Sequence, residues 1–393
     1  MVGEERPLRI IATPSGYQFA SEIEHWITEK YQGEQGNAHP PVLVNTTFSR
    51  FADTDGKVCI DEHIRGGDVF IVADAYSHAA PVPNDEPGKE LAYTAHTSPD
   101  GVELRRSKKS IASVERRLPL DVNFQQVLST IDAAQTALKS SGRVTVILPC
   151  FPGARQDRRT GRESLDLRLR FEQLYAAGAD HVLVLDPHND AMDLAIQRGM
   201  SLDRLRASHT LLRHITRQAG KYDKNNFFFC APDTGKIGVA GTKQYAQHFE
   251  SPLGIVYKQR DLQGVNELKT PLGFLGDPEE LQGRDVFIPD DMIDTGGTMI
   301  SAAEFLRERG AKSVRLIATH PIFSYPALER FNEAYEQGHV SEVIVTNSVT
   351  LPRDVRANTP WLSVVDVTQY HAKVISHLHR NESISQLLET ELR

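Results

Sequence analysis

Cysteine is scarce in these 393 residues: there are three, at positions 59, 150 and 230, widely spaced and without a Cys-x-x-Cys pair. An odd, scattered set supports neither a disulfide framework nor a thiolate metal site, and the expectation is buried free thiols in a reducing compartment. Long hydrophobic runs are missing too. No apolar stretch approaches membrane length and the first eight residues are charged, so the expected setting is a cytoplasmic globular protein with no membrane partner. Positive charge is in deficit, with 44 Lys and Arg against 52 Asp and Glu and a formal net charge of −8. That balance argues against a general nucleic-acid binder and makes any anion site local.

What is present is an alternation. Apolar strand-like runs at 9–12, 41–47, 68–73, 144–148, 181–185, 226–230, 253–257, 286–288, 314–318, 342–345 and 362–365 are interleaved with helical spacings. The clearest of these spacings are Val127, Ile131, Ala134, Leu138 and Met299, Ala302, Ala303, Leu306; residues 164–177, 201–218 and 238–249 are also expected as helices. Strands alternating with helices predict an α/β protein with mostly parallel sheets flanked by helices. The length suits two such domains, 1–203 and 204–393. Residues 81–120 break the rhythm with prolines and a basic stretch, and are expected as a solvated insertion; 261–283 is expected as a loop.

The most informative stretch is the acidic, glycine-rich segment Asp290–Thr298. It contains Asp290, Asp291, Asp294, Thr295, Gly296, Gly297 and Thr298, placed between a strand end and a helix start. In an open α/β sheet ligands bind at such a junction, and the amides of a helix N-terminus favour phosphate. The segment ends in no Gly-Lys-Ser/Thr and is not Gly-x-Gly-x-x-Gly, so two common nucleotide loops are excluded. Its carboxylates suit sugar hydroxyls or a metal-bound pyrophosphate. Other strand ends carry Arg155, Gln156, Asp157 and Arg158; Asp186 and His188; Asp233; and Lys258 with Arg260. Arginine presents a planar fork to phosphate or a base, and two cations two residues apart share one side of an extended chain. Taken singly, each of these motifs fits a solvated turn as well as a site.

Order decides between those alternatives. Arg50-Phe51-Ala52-Asp53, Arg65-Gly66-Gly67-Asp68, Ala154–Arg159, Asp186-x-His188 and Pro232-Asp233-x-Gly235 follow one another along the chain. Lys258-x-Arg260, Asp290–Thr298, Ala318–Pro321 and Val345-Thr346-Asn347 complete the series. In that order the stretches resemble the ribose-phosphate pyrophosphokinase (phosphoribosyl pyrophosphate synthetase) family over nearly the whole chain. The resemblance implies two phosphoribosyltransferase-like domains, a dimer-based homo-oligomer and Mg²⁺ as cofactor, with ATP and ribose 5-phosphate as substrates. It also implies roles. Arg155, Gln156 and Asp157 would hold ATP, with Asp53, Thr54 and Asp55 reaching in from a neighbouring subunit. His188 and Asp233 would meet the magnesium–triphosphate, and the 290–298 segment would bind the sugar phosphate. Lys258 and Arg260 would close over the diphosphate in transfer.

Departures from the family pattern are local. Lys236 stands where the family carries a second glycine, Ala191 where it carries glutamine, and Asp166-Leu167-Arg168 in a segment associated with regulatory phosphate or ADP. They keep open a bulkier ribose-phosphate acceptor. A non-catalytic partner of true synthetases is the reading from another class; it would be expected to lack the lysine or the sugar-phosphate aspartates, which this chain retains.

Overall fold

Apolar runs such as Val69–Val72, Val144–Ile147 and Phe227–Cys230 are buried on both faces, as central strands of a helix-covered parallel sheet must be. In the structure, a computed structural model, the described residues are 6–32, 42–84, 93–106, 109–138, 142–189, 191–218, 223–258, 272–385 and 387. The chain divides into two compact units. The first comprises residues 1–206 with 347–353 and 366–393, and the second 207–346 with 354–365.

The first unit is built on five parallel strands, in the order Leu8–Ala12, Asp68–Val72, Arg143–Ile147, His181–Leu185, Ser201–Leu205. Residues 201–205 correct the expectation of a helix over 201–218. They pair in parallel with His181–Leu185, and the helix is confined to Ser208–Arg217. Leu202 and Leu205, three apart, share a face in a helix but not in a strand, so the spacing favoured the helix and only pairing with the neighbouring strand decides otherwise.

The inserted region is folded as well, against the expectation of a solvated loop. Its strands Tyr93–Ser98, Gly101–Arg106 and Lys109–Ile111 join Thr46–Arg50 and Gly56–Ile60 in a five-stranded antiparallel sheet. Phe48, Ala95 and Leu104 form its buried core, with Val58, Tyr93, Val102 and Ile111 packed around them. A hairpin signal was legible at Ser98-Pro99-Asp100-Gly101, where Gly101 turns with φ 131°. Cys59 lies on the edge strand of this sheet with its side chain exposed, which corrects the expectation of three buried thiols; Cys150 and Cys230 are buried.

Seven strands make the sheet of the second unit, in the order Leu272–Leu275, Leu253–Lys258, Phe227–Ala231, Asp285–Ile293, Ser313–Pro321, Glu342–Thr346, Leu362–Val365. All its pairs are parallel except Leu253–Lys258 with Leu272–Leu275. The edge strand 272–275 and the helical turn Pro278–Leu281 therefore replace part of the loop expected over 261–283.

Two polar clusters hold the returning segments into the first unit. Asn347 donates to Glu22 (2.9 Å) and to Asp366 (2.8 Å), and Trp26 donates to the other Asp366 oxygen (3.3 Å). The fully buried Asp74 accepts the N–H groups of Thr350 (2.6 Å) and Tyr76 (3.0 Å). A third anchor is Asp68, also buried, which receives two bonds from Arg143 (2.9 and 2.7 Å) and lies 3.2 Å from His379 Nδ1. Burial alone would raise the Asp68 pKa, but His379 and Arg143 hold it below the usual carboxylate value. Removing one partner of a buried pair strands a charge, so Arg143→Met should destabilise the protein by ~3 kcal/mol in chemical denaturation. Because the folded pKa is depressed, the pair's contribution is present at neutral pH and is lost as pH falls through that lowered value. The gap between wild type and variant should therefore shrink in acid.

Candidate active site

In the second sheet the strand order reverses at Phe227–Ala231. The chain proceeds from it to Leu253–Lys258 on one side and later to Asp285–Ile293 on the other. Loops that leave such a pair of strands diverge and open a crevice at their carboxyl ends. Asp233 follows the first strand, whereas Asp290 and Asp291 occupy the end of the second. Here the structure extends the sequence reading: the strand runs on to Ile293, pairing Met292 with His320, so Asp290 and Asp291 are strand residues and the turn proper is Asp294–Gly296.

Three carboxylates thus converge. Burial pushes Asp290 up to about 8, and the negative charges of Asp291 and, more weakly, Asp233 add to the effect. At neutral pH Asp290 keeps its proton unless positive charge arrives. The Asp291 N–H donates to Asp290 Oδ1 at 2.9 Å. Asp233 Oδ1 accepts the Gly235 N–H at 2.6 Å, which closes the turn into helix Lys236–His248. A second helix, Gly297–Glu308, begins at the same edge, so two sets of free N-terminal amides lie beside the acidic cluster. Among the described residues, no group of three His, Cys, Asp or Glu forms a ready metal cage.

The turn is set by a specific fit. Gly296 adopts φ 76°, and a Cβ there would come within 2.7 Å of the Phe331 ring. Arg330 donates to Thr295 O at 3.3 Å, leaving Thr295 and Thr298 exposed at the rim. Phe331 and Arg330 escaped the sequence reading because they come from helix Ala327–Glu336, more than thirty residues away.

In the first unit, the loops after adjacent strands 143–147 and 181–185 carry the other candidates. Arg155 and Gln156 are exposed, and Asp157 accepts a hydrogen bond from Asn189, which follows the half-buried His188. Asn189 was not anticipated; its place beside His188 was the only signal. Asp53, Thr54 and Asp55 lie elsewhere in this unit, at the tip of the hairpin 46–60. There Thr54 has φ 74° and the Asp55 N–H bonds Asp53 Oδ1 at 3.1 Å. Lys258 ends its strand opposite Leu272, and Arg260 lies outside the described residues.

Known proteins resemble the chain over most of its length. Residues 106–178 match the family model for the N-terminal domain of ribose phosphate pyrophosphokinase, and residues 255–389 that for the phosphoribosyl synthetase-associated domain. The ribose-phosphate pyrophosphokinase of Nostoc sp. is 34% identical over 98% of this chain and 94% of its own. That of Prochlorococcus marinus is 31% identical over 86% and 84%. The crystal structure of phosphoribosylpyrophosphate synthetase from Mycobacterium smegmatis superimposes with a TM-score of 0.70, at 27% identity, over 96% of this chain and all of that one.

The two adjacent glycines should respond differently to substitution. Gly296→Ala forces a side chain into a left-handed residue and against Phe331, at a cost of at least ~1 kcal/mol. Gly297 opens a helix, and a Cβ there meets nothing nearer than Arg330 Nη1 at 3.7 Å. Thermal melts should show a lowered Tm for Gly296→Ala and little change for Gly297→Ala; equal losses would mean the turn is not held as described.

Proposed function

The chain belongs to the ribose-phosphate pyrophosphokinase family, and from that premise we propose that it moves the β,γ-diphosphoryl group of ATP onto the C1 hydroxyl of ribose 5-phosphate. The products are 5-phosphoribosyl 1-pyrophosphate and AMP. The observation that carries the reading is the convergence of Asp233, Asp290 and Asp291 with two helix N-termini at the point where the strand order reverses.

The chemistry asks little covalent work of a protein. The C1 hydroxyl oxygen attacks the β-phosphorus and gives up its proton, while the bond from the β-phosphorus to the α,β-bridging oxygen breaks and AMP leaves. The residues need only position the partners and answer the moving charge. Asp294 and the Thr295–Thr298 turn bind the sugar phosphate, its phosphate against the amides of helix Gly297–Glu308 and its hydroxyls against carboxylates. Arg155, Gln156 and Asp157 hold ATP, joined by the turn Asp53–Asp55 of a neighbouring subunit in a dimer-based homo-oligomer.

Mg²⁺ fits the donor set. Carboxylate oxygens are hard ligands, and a divalent cation beside Asp233 would oppose the burial and the neighbouring negative charge that raise the Asp290 pKa. Asp233 and His188 are the residues assigned to it, and when bound it would neutralise the triphosphate. Lys258 and Arg260 supply cations to the diphosphate and, in closing over it, exclude water as a competing nucleophile.

Purified protein with ATP, Mg²⁺ and ribose 5-phosphate should release AMP in a one-to-one ratio with the phosphoribosyl product. Stoichiometric ADP, or full turnover in excess chelator, would overturn the reading. Lys258→Ala should separate charge stabilisation from ground-state binding. Loss of one preorganised partner of developing charge lowers kcat about 10²- to 10³-fold, with the KM for ATP changed only a few-fold. A variant that keeps more than about a tenth of the wild-type kcat removes Lys258 from the role.

A further inference from the structure

The strand pair that ends at Lys258 carries two glycines covered by rings. Leu253–Lys258 and Leu272–Leu275 run antiparallel, with Val256 opposite Phe274, Tyr257 opposite Gly273 and Lys258 opposite Leu272. Leu272–Leu275 is the edge of its sheet, yet Gly273 on it is buried. The Tyr257 ring lies across it: a Cβ at position 273 would fall 2.3 Å from Tyr257 Cζ and 2.6 Å from its hydroxyl oxygen. On the opposite face of the ribbon, Phe274 covers Gly254. A Cβ there would come within 2.6 Å of the Phe274 ring and 2.9 Å of Phe228. Phe228 and Phe274 themselves lie 6.2 Å apart, centre to centre. Both glycines are thus places where any other residue would displace a ring. A bare glycine weakens a strand, and a ring laid over it from the neighbouring strand offsets that loss and pins the register.

We propose that this ring-on-glycine pairing is a register lock, and that Tyr257 and Gly273 are positioning residues for Lys258 in diphosphoryl transfer. A slip by one residue would set Tyr257 against Leu272 or Phe274 and turn every side chain of the strand to the other face. Neither alternative partner leaves room for the tyrosine ring. Position 258 would move along the ribbon by about 3.3 Å, the rise of one strand residue. A displacement of only about 1 Å is enough to cost roughly 10²-fold in rate. Lys258 follows Tyr257 directly and belongs to the last pair of the ladder among the described residues, so the pair one step before it decides where the strand delivers it. The consequence for catalysis rests on the role given to Lys258 above. The lock itself rests only on the contacts of Tyr257, Phe274 and the two glycines.

Gly273→Val tests the lock because it places a branched side chain where the ring lies, and Tyr257→Ala in the same chain makes room for it. Hydrogen exchange of the full-length protein should show strands 253–258 and 272–275 opening at least about tenfold faster in Gly273→Val, and near the wild-type rate in the double variant. In turnover, Gly273→Val should lower kcat about 10- to 100-fold with the KM for ATP changed only a few-fold, and the double variant should recover most of that loss. In a Lys258→Ala background, Gly273→Val should lower kcat by less than about threefold more, because the residue it misplaces is already gone. A glycine that served only stability would give losses that multiply in that background. Multiplying losses, unchanged exchange in Gly273→Val, or failure of Tyr257→Ala to restore exchange and kcat each overturns the proposal. Gly273→Ala, which adds a single methyl group, gives the same pattern at smaller amplitude should the valine variant not fold. Absence of phosphoribosyl product from the wild type would overturn the reaction and with it the role of Lys258, while exchange still decides the lock.

Discussion

The parallel pairing of Phe227–Ala231 with Asp285–Ile293 is the contact on which the second unit's site depends. It is held from below by stacked and edge-on rings: Phe287 lies 4.7 Å from Phe227 and 5.4 Å from Phe229, centre to centre. At the strand start, Asp285 gathers Ser313, Arg315 and Asn226 around a carboxylate that burial alone would push up and these partners hold low. With Leu253–Lys258 paired on its other side, the strand order reverses at Phe227–Ala231, and Asp233 and Asp290 belong to the ends of neighbouring strands. A one-residue slip would turn Asp290 to the other face of the sheet.

The two units treat a buried carboxylate at the carboxyl edge of a sheet in opposite ways. In the first, burial lifts Asp74 to about 7, but the N–H groups of Thr350 and Tyr76 satisfy it, and residues 347–353 of the chain itself occupy that edge. In the second, Asp290 faces Asp291 and Asp233, so the nearest charges raise its pKa further instead of answering it. A buried carboxyl flanked by like charge has favourable interactions to gain from a cation, whereas a satisfied one is a fastening. The same residue type is therefore answered by the fold in one unit and left beside like charge in the other, and the difference lies in what faces it.

The strands over 93–111 share one antiparallel sheet with the hairpin 46–60. Its hydrogen bonding extends the hairpin 46–60 sideways, and Tyr17 anchors the new turn by donating to Pro99 O at 3.2 Å. The hairpin's flank and its turn residues Thr54 and Asp55 face helix Leu120–Leu138 across a cleft.

Local chemistry was enough for much of this protein. Apolar runs long enough only for buried strands, helical spacings such as Val127–Leu138, and the Gly296 turn were legible because each depends on residues close in sequence. So was the family, through motifs in a set order. The sequence could not separate a short helix from a strand at Ser201–Leu205, where the period is too brief and the answer lies in hydrogen bonds to His181–Leu185. Nor could it show that Asp290 and Asp291 belong to a strand, since their partners are Ala318 and its neighbours on Ser313–Pro321. The return of residues 347–353 and 366–393 to the first unit rests on Glu22, Trp26 and Asp74, hundreds of residues away. The raised pKa of Asp290 likewise needs burial and two carboxylates brought together by the fold. Contacts that are local in the chain can be read from it, whereas those closed by long loops exist only once the sheets have formed.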